Sequence, residues 1–201
     1  AANFRFDGDV LDSTANNYLI TKTGTANFVN GVTGTRALYL ANEANVVATP
    51  TKASNLTQFS YTQTGPMTVS FWMYCTKAPA LNCFSYIVTF GTAGAAAPFY
   101  VYSELQGARI NLMAGHGSYI LSSSTVINKW YHIVATWVPN GTNSFYIDGR
   151  LIGTNTNTTA ALGAGIFCLG DAVQASGNAP YAGYINDFRL YNGVLNAAQV
   201  A

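Results

Sequence analysis

The sequence predicts an all-β fold, either a sandwich or a barrel of antiparallel strands. Three observations support this prediction. Short runs of alternating β-forming residues recur along the chain, turn-forming residues separate them, and helical periodicity is almost absent. Many strands of modest length joined by regular turns are typical of sandwiches and barrels.

The clearest predicted strand is 68–75, in which Val69, Phe71, Met73 and Cys75 alternate with Ser70, Trp72 and Tyr74. Successive side chains of a strand point to opposite faces, so this pattern predicts one core-facing row and one outer row. The only predicted helix is the short segment 196–200. The predicted strands, in chain order, are 68–75, 87–90, 99–102, 109–113, 130–138, 144–148, 165–170 and 184–191.

Turn-forming residues lie between these strands. Pro139-Asn140-Gly141 and Asp148-Gly149 directly follow strand-like runs, as tight hairpin turns do. Gly149 is expected to adopt a positive φ in its turn. Further turns are expected at Thr64-Gly65-Pro66, Gly91-Thr92-Ala93-Gly94 and Ser176-Gly177-Asn178.

The composition limits the classes of function. The chain has 201 residues, of which 49% are hydrophobic, so it can bury the core of one domain. Its net charge is +1 and its basic residues are scattered singly, which argues against nucleic acid as a partner. No apolar run approaches the roughly 20 residues of a transmembrane helix, so membrane insertion is not expected.

The cysteines permit one disulfide. Cys75 and Cys83 flank a segment that resembles a hairpin connection, and they can form a disulfide if the two positions face each other. A secreted location would favour the bond. Cys168 is expected to be a small buried apolar residue.

Three predicted strands carry aromatic and hydrogen-bonding side chains on their outer rows. Aromatic faces beside planar polar groups suit glycans, because the C–H face of a sugar stacks on a ring while its hydroxyl groups take fixed hydrogen bonds. The alternative is that these side chains lie under a crossing loop, under the N-terminal segment or against another subunit. The candidate ligand-binding residues are Trp72, Tyr74, Tyr100, Tyr102, Arg109 and Asn111.

Several motifs resemble those of laminin-G-like, concanavalin A-like jelly-roll domains of the lectin/glucanase superfamily. The segment 67–73 resembles the family's "T-apolar-S-x-W" strand, and 129–137 resembles its "W-x-H-apolar-A" strand. The segment 144–150 resembles the "Y-apolar-D-G" hairpin, and 181–191 the closing "G-x-I-D-D-apolar-R-apolar-Y" strand. With Phe6-Asp7-Gly8 near the start, these motifs run in order along nearly the whole chain.

The resemblance implies an all-β, two-sheet antiparallel jelly-roll sandwich that forms a single domain over residues 1–201. It also implies an extracellular, secreted or surface-displayed location. It leaves function open, because this fold carries adhesion modules, lectins, glycosidase appendages and structural proteins. His132, in the middle of a predicted strand, is expected to be a hydrogen-bonded structural residue.

Domains of this type often hold a structural calcium ion (Ca²⁺) where the first and last strands meet. The resemblance places Asp187 in such a site, together with Asp7, Asp9 or Asp12. Where the family usually has a further acidic residue, this chain has Asn186, which removes one charge but keeps a carbonyl oxygen. The alternative is that Asp187 caps a backbone group or pairs with an arginine.

Catalysis is not expected. The related retaining glucanases use a closely spaced Glu-x-Asp-x-Glu strand, and this sequence has none. No nucleophile elbow is present either. The acidic residues are Asp7, Asp9, Asp12, Glu43, Glu104, Asp148, Asp171 and Asp187.

Two functions therefore remain. The first is a non-catalytic recognition or adhesion module that binds a glycan or a surface glycoprotein. The second is a self-assembling structural subunit of an extracellular filament, surface layer or virion coat, for which the partner is a homo-oligomer. The low charge of the chain, 8% charged residues, favours the second because few charges oppose self-association.

Overall fold

Strands dominate the computed structural model, which describes residues 1–25, 27–42, 56–79, 83–92, 98–104, 109–115, 119–122, 125, 127–172 and 179–200. A single turn of 3₁₀ helix, Val32–Gly34, and a final helix α1, Ala197–Val200, accompany the strands. The strands are β1 Ala2–Phe4, β2 Thr21–Thr23, β3 Asn27–Asn30, β4 Arg36–Leu40, β5 Leu56–Gln63, β6 Met67–Lys77, β7 Ser85–Gly91, β8 Phe99–Glu104, β9 Arg109–Ala114, β10 Tyr119–Leu121, β11 Trp130–Trp137, β12 Thr142–Ile147, β13 Arg150–Thr156, β14 Gly163–Leu169, β15 Ala179–Pro180 and β16 Ala182–Asn192.

These strands form two sheets. Sheet A has the order β13-β12-β11-β6-β16-β4-β3, with β1 paired to β16. Sheet B has the order β10-β9-β8-β7-β14-β5-β2, with β15 paired to β7. Among the described pairings, only β15 with β7 is parallel. The predicted two-sheet antiparallel sandwich is confirmed.

One hydrophobic cluster fills the space between the sheets. Sheet A contributes Phe71 and Phe188, and sheet B contributes Phe59, Phe90 and Phe167, all nearly or fully buried. Rings of the two sheets meet directly, with the Phe59 and Phe188 centroids 6.0 Å apart. The core therefore depends on the inner row of each strand, as the alternation predicted.

Each of the eight strands predicted from alternation is present, with ends shifted by a few residues. The alternation missed the short strands β1, β2, β3, β10 and β15, which have too few residues to display a period. It also missed the longer strands β4, β5 and β13. The 148–149 hairpin turn is confirmed: Asp148 and Gly149 have φ values of 51° and 74°. Two consecutive positive φ values match the right-handed twist of the flanking strands.

The expected hairpin between Cys75 and Cys83 is wrong. Cys75 lies on β6 in sheet A, whereas Cys83 precedes β7 in sheet B, so the connection crosses between the sheets. Cys75 points into the core, and its Sγ donates to the carbonyl of Lys77 at 3.2 Å. Both residues are thiols in this structure, so the expected disulfide is not formed. Cys168 is fully buried, as predicted.

Candidate functional site

The six candidate ligand-binding residues do not form one surface. Trp72 and Tyr74 lie on β6 in sheet A, whereas Tyr100, Tyr102, Arg109 and Asn111 lie on β8 and β9 in sheet B. Their outer rows face away from each other on opposite sides of the sandwich. The prediction of a shared face is corrected, because alternation fixes the side of a strand but not the sheet that the strand joins.

Two of the four sheet B residues, Tyr100 and Tyr102, line a pocket of about 230 Å³, here called the sheet B pocket; Arg109 and Asn111 do not line it. Tyr100 and Tyr102 form its floor from β8, and β10 supplies one wall. Its lining residues are Phe84, Tyr100, Tyr102, Glu104, Tyr119 and Leu121.

Edge-to-face ring contacts hold the floor in place. The Tyr100 ring lies 5.0 Å from Tyr86 at 81° and 5.4 Å from Tyr102 at 68°. Phe84 meets Tyr102 at 5.4 Å and 88°. Such contacts fix each ring through its quadrupole, so the floor is pre-formed.

The rim of the sheet B pocket is open to solvent. Phe84, Tyr119 and Leu121 are 39%, 50% and 50% exposed, although large apolar side chains of this chain are mostly buried. Exposed rings grouped around a concavity are typical of a binding surface.

The polar groups of the pocket are fixed as well. Glu104 and Arg109 are register partners on β8 and β9, and their side chains form an ion pair at 3.8 Å. Asn111 is fully buried beneath the pocket, and its Oδ1 accepts a hydrogen bond from the backbone N–H of Ser122 at 3.0 Å. Asn111 therefore positions the end of β10 rather than facing solvent.

The phenol groups of the floor stay protonated. Burial raises the pKa of Tyr100, and a hydrogen bond with Tyr119 adds to this effect. Burial likewise raises the pKa of Tyr102, with a further contribution from the charge of Glu104. The floor thus presents neutral hydroxyl groups over a wide pH range.

Sequence reasoning missed four residues of the sheet B pocket. Glu104 continues the outer row of Tyr100 and Tyr102 on β8. Tyr119 and Leu121 flank the buried Ile120 on a strand too short to be predicted. Extending the alternation by one step would have found Glu104.

The outer face of sheet A carries a row of four rings, here called the sheet A row. Tyr39, Tyr184, Tyr74 and Trp130 are register partners on the adjacent strands β4, β16, β6 and β11. Neighbouring centroids lie 5.1 to 5.4 Å apart. Each ring is half-buried by its neighbours.

Beside this row lies a cleft of about 320 Å³, here called the sheet A cleft. Trp72, on β6, lines this cleft. Its ring stacks on that of His132 on the neighbouring strand β11, with centroids 5.0 Å apart. The lining residues are Arg5, Asp7, Val32, Thr35, Trp72, Asn186, Asp187 and Arg189.

The five residues expected at a calcium site separate into two groups. Asp7, Asn186 and Asp187 line the sheet A cleft. Asp9 and Asp12 do not line it. Asp9 accepts from the N–H of Leu11, and Asp12 is buried with both carboxylate oxygens engaged. The Asp12 oxygens accept from Asn3 N, Thr14 N, Thr14 Oγ1 and Tyr18 N.

A bulge in β16 brings Asn186 and Asp187 to the cleft together. Between Asn186 and Arg189 the register with β6 shifts, and Asp187 adopts a φ of 49°. The extra residue lets two successive side chains avoid the core. Asp187 then forms a two-point ion pair with Arg189, at 2.9 Å to Nε and 2.6 Å to Nη2. The alternative that Asp187 pairs with an arginine is thus what the structure contains.

The Asn186 amide is 3% exposed and uses both ends. Its Nδ2 donates to the backbone carbonyls of Arg5 and Arg36 at 3.0 and 2.6 Å. Its Oδ1 accepts from Thr35 Oγ1 at 2.9 Å and from Val32 N at 3.4 Å. The partners fix the orientation, because carbonyls only accept and a backbone N–H only donates.

These residues do not fit calcium as a set. Calcium needs six to eight oxygen ligands, and here an NH₂ group occupies the space in front of the two carbonyls. Arg5 and Arg189 line the same cleft, so its lining includes two cationic residues beside the two anionic ones. Among the described residues, no group of three or more His, Cys, Asp or Glu side chains could hold a metal ion.

The family of the chain follows from its sequence together with this fold. A family model described as the concanavalin A-like lectin/glucanases superfamily, Laminin_G_3, matches residues 42–201. The chain belongs to this superfamily. The match includes β6, β11, β12 and β16, which carry the motifs identified from the sequence.

Solved structures of the superfamily fold resemble the chain over its length. One is domain 4 of AbnA, a GH43 extracellular arabinanase from Geobacillus stearothermophilus, in complex with arabinotriose. It has a TM-score of 0.71 and 22% identity, over 99% of this chain and 95% of that chain.

Two further structures share the fold. The first, of botulinum neurotoxin type C, whose cell entry depends on two ganglioside molecules, has a TM-score of 0.68 and 12% identity. It matches all of this chain, which spans 49% of the neurotoxin chain. The second, a heptameric SAP-like pentraxin from Limulus polyphemus, has a TM-score of 0.59 and 18% identity over 72% of each chain. No curated protein matches the sequence significantly.

The described part of the chain contains no helix that is both long and apolar enough to cross a membrane.

Proposed function

We propose that this domain is a non-catalytic module that binds glycans in the sheet B pocket. The observation that carries the proposal is the grouping of Tyr100, Tyr102, Tyr119 and Phe84 around one carboxylate, Glu104, at an open concavity. Rings supply stacking faces for the C–H groups of a sugar, while phenol and carboxylate oxygens supply hydrogen bonds to its hydroxyl groups.

The sheet A cleft is the weaker glycan site. One face of Trp72 is covered by His132, so a sugar cannot stack there. The polar groups around it are engaged with each other, as in the Asp187–Arg189 ion pair. Ligand hydroxyl groups would have to break these contacts, which makes binding costly.

The single acidic residue that lines the sheet B pocket supports a binding role rather than hydrolysis. Retaining glycoside hydrolysis needs two carboxyl groups about 5 Å apart, and inverting hydrolysis needs two at a larger separation. Glu104 is the one carboxylate among the described lining residues, and it is paired with Arg109.

The superfamily neighbours support the same class of ligand. The AbnA domain was determined with arabinotriose, and the type C neurotoxin interacts with gangliosides. AbnA is described as extracellular, which agrees with a secreted or surface location for this domain. We therefore propose that this domain meets its glycan outside the cell, on its own or as part of a larger protein.

The experiment is a glycan array that includes arabino-oligosaccharides and ganglioside glycans, followed by calorimetric titration of the best-binding glycan. We expect Tyr119→Ala to weaken binding about tenfold, equal to ~1.4 kcal/mol, through loss of one stacking face. Tyr119 is half-exposed, so its removal leaves the core intact. Tyr39→Ala, which removes a ring from sheet A, is the control and should bind as the wild type does.

Three results would contradict the proposal. The first is the absence of binding to any glycan of the array. The second is full affinity in Tyr119→Ala, and the third is loss of affinity in Trp72→Ala, which would move the site to sheet A.

The sheet A row favours the alternative function, a self-assembling structural subunit. Four adjacent rings span roughly 14 Å of sheet surface at the usual strand spacing, enough to form the centre of a subunit contact. Light scattering after size-exclusion chromatography tests this function. A large oligomer that dissociates in Trp130→Ala would support it, and a monomer at high concentration would exclude it.

A further inference from the structure

We propose that the side-chain amide of Asn186 takes the structural place of a calcium ion, so that the first and last strands are held together without metal. This inference is independent of the glycan-binding function. It concerns the junction of the β1–Arg5 segment, the 3₁₀ turn Val32–Gly34 and β16.

The hydrogen bonds from the Asn186 amide point at the same two carbonyl oxygens that a cation would bind. A cation between the carbonyls of Arg5 and Arg36 would attract both oxygens to one point. Nδ2 of Asn186 does this as a donor, at 3.0 and 2.6 Å. The NH₂ group of Asn186, with its partial positive charge, therefore satisfies the carbonyl oxygens of Arg5 and Arg36.

An ionised carboxylate of the same size does not fit the position of the Asn186 amide. The site needs a donor toward two carbonyls and an acceptor toward Thr35 Oγ1 and Val32 N. A carboxylate provides only acceptors, so aspartate at this position would direct an oxygen at two carbonyl oxygens. An ionised aspartate is stable here only if a cation lies between these oxygens.

The charged residues of the sheet A cleft also disfavour a bound cation. Arg189 binds both oxygens of Asp187, and Asp7 accepts from the N–H of Arg36 at 3.0 Å. Arg5 and Arg189 oppose the entry of a divalent cation, since like charges repel in a partly dehydrated cleft. The cleft is thus already neutralised by the protein's own groups.

The test compares thermal unfolding in millimolar calcium with unfolding in excess EGTA. We expect the wild-type Tm to be the same in both. Asn186→Asp should unfold about 5–10 °C lower in EGTA, because two hydrogen bonds are replaced by repulsion. Calcium should restore at least half of that loss.

Asn143→Asp is the matched control. Asn143 is also fully buried, and its Nδ2 donates to the carbonyl of Ala114 at 3.3 Å. Asn143→Asp should lower the Tm, and calcium should not raise it again. No other carboxylate that could help to bind the ion is among the described hydrogen-bond partners of Asn143.

Three outcomes would overturn the proposal: a wild-type Tm that falls in EGTA, an unchanged Tm of Asn186→Asp in EGTA, or a destabilised Asn186→Asp that calcium does not restore. If Asn186→Asp does not fold in EGTA, the wild-type comparison still decides the central claim. Calcium titration of the wild type by calorimetry gives an independent readout, with no binding heat expected.

Discussion

The rings of Trp72 and His132 stack across β6 and β11, 5.0 Å apart and inclined by 28°. Nε2 of the same histidine lies 2.9 Å from Ser70 Oγ, within hydrogen-bonding distance. His132 is thus the hydrogen-bonded structural residue that its position in the strand predicted. The contact covers one face of Trp72 and links the histidine to the stability of sheet A.

The charge state of His132 predicts a pH dependence of folding. Burial lowers the pKa of His132, outweighing the opposing effect of Asp148 and Asp187, while Arg189 lowers it further. Because the unfolded chain binds the proton more tightly, stability is lost as pH falls below the ordinary histidine pKa of about 6.5. Below the pKa that His132 has in the folded protein, the histidine causes no further loss of stability. We expect His132→Gln to have a Tm that varies less with pH between about 5 and 7. Equal pH profiles for the two proteins would exclude His132 as the cause.

Asp12 is predicted to stabilise the N-terminal segment through its carboxylate. Burial raises the pKa of Asp12, but hydrogen bonds from Asn3, Thr14 and Tyr18 outweigh this effect and lower it. The carboxylate's contribution is therefore present at neutral pH and lost as pH falls below 3.8. Asp12→Asn should cost about 2 kcal/mol at pH 7, because an NH₂ group would face a backbone N–H. Urea unfolding measures this cost.

Asp9→Asn is the matched control for that prediction. Asp9 is exposed, and an asparagine oxygen can still accept from the N–H of Leu11. We expect a change within about 0.5 kcal/mol. Equal losses in the two variants would show that overall charge, rather than the Asp12 hydrogen bonds, sets the stability.

Gly183 is predicted to be irreplaceable at the bulge where β16 begins. A Cβ atom there would lie within 2.1 Å of the Tyr74 carbonyl oxygen and 2.7 Å of the Tyr181 hydroxyl oxygen. We expect Gly183→Ala to lose about 3 kcal/mol or more, measured by urea unfolding. Gly193 has a φ of 136° and open space around it. A substitution there therefore measures the cost of the backbone conformation without a steric clash. Gly193→Ala should lose only about 1 kcal/mol.

The thiols of Cys75 and Cys83 give a chemical prediction. Alkylation of the protein in denaturant without reductant should label all three cysteines, as read by intact mass. In the native protein Cys83, which is half-buried, should react before the buried Cys75 and Cys168. Labelling of a single cysteine without reductant would show that the disulfide forms.

Much of the fold could be predicted from local patterns. The inner row of β6, from Val69 to Cys75, is buried as its alternation predicted. The two positive φ values at Asp148 and Gly149 follow from residues that tolerate them. Each of these features depends on neighbours in the chain, so the sequence alone sufficed.

The candidate site could be predicted only in part. The outer rows of β6, β8 and β9 were identified, but Trp72 and Tyr100 lie on opposite sides of the sandwich. Alternation carries no information about which sheet a strand joins, because pairing is decided by contacts between distant segments. Phe84 and Tyr119 reach the pocket only through such pairing.

The class of fold, the faces of the long strands and the family can be predicted from the residues alone, because these properties depend on local alternation and turns. Which aromatic residues share a pocket and which groups Asn186 binds depend instead on the pairing of distant strands. The amide of Asn186 contacts carbonyls 181 and 150 positions away in the chain. Such contacts form when the sandwich closes, so the role of Asn186 becomes visible only in the folded chain.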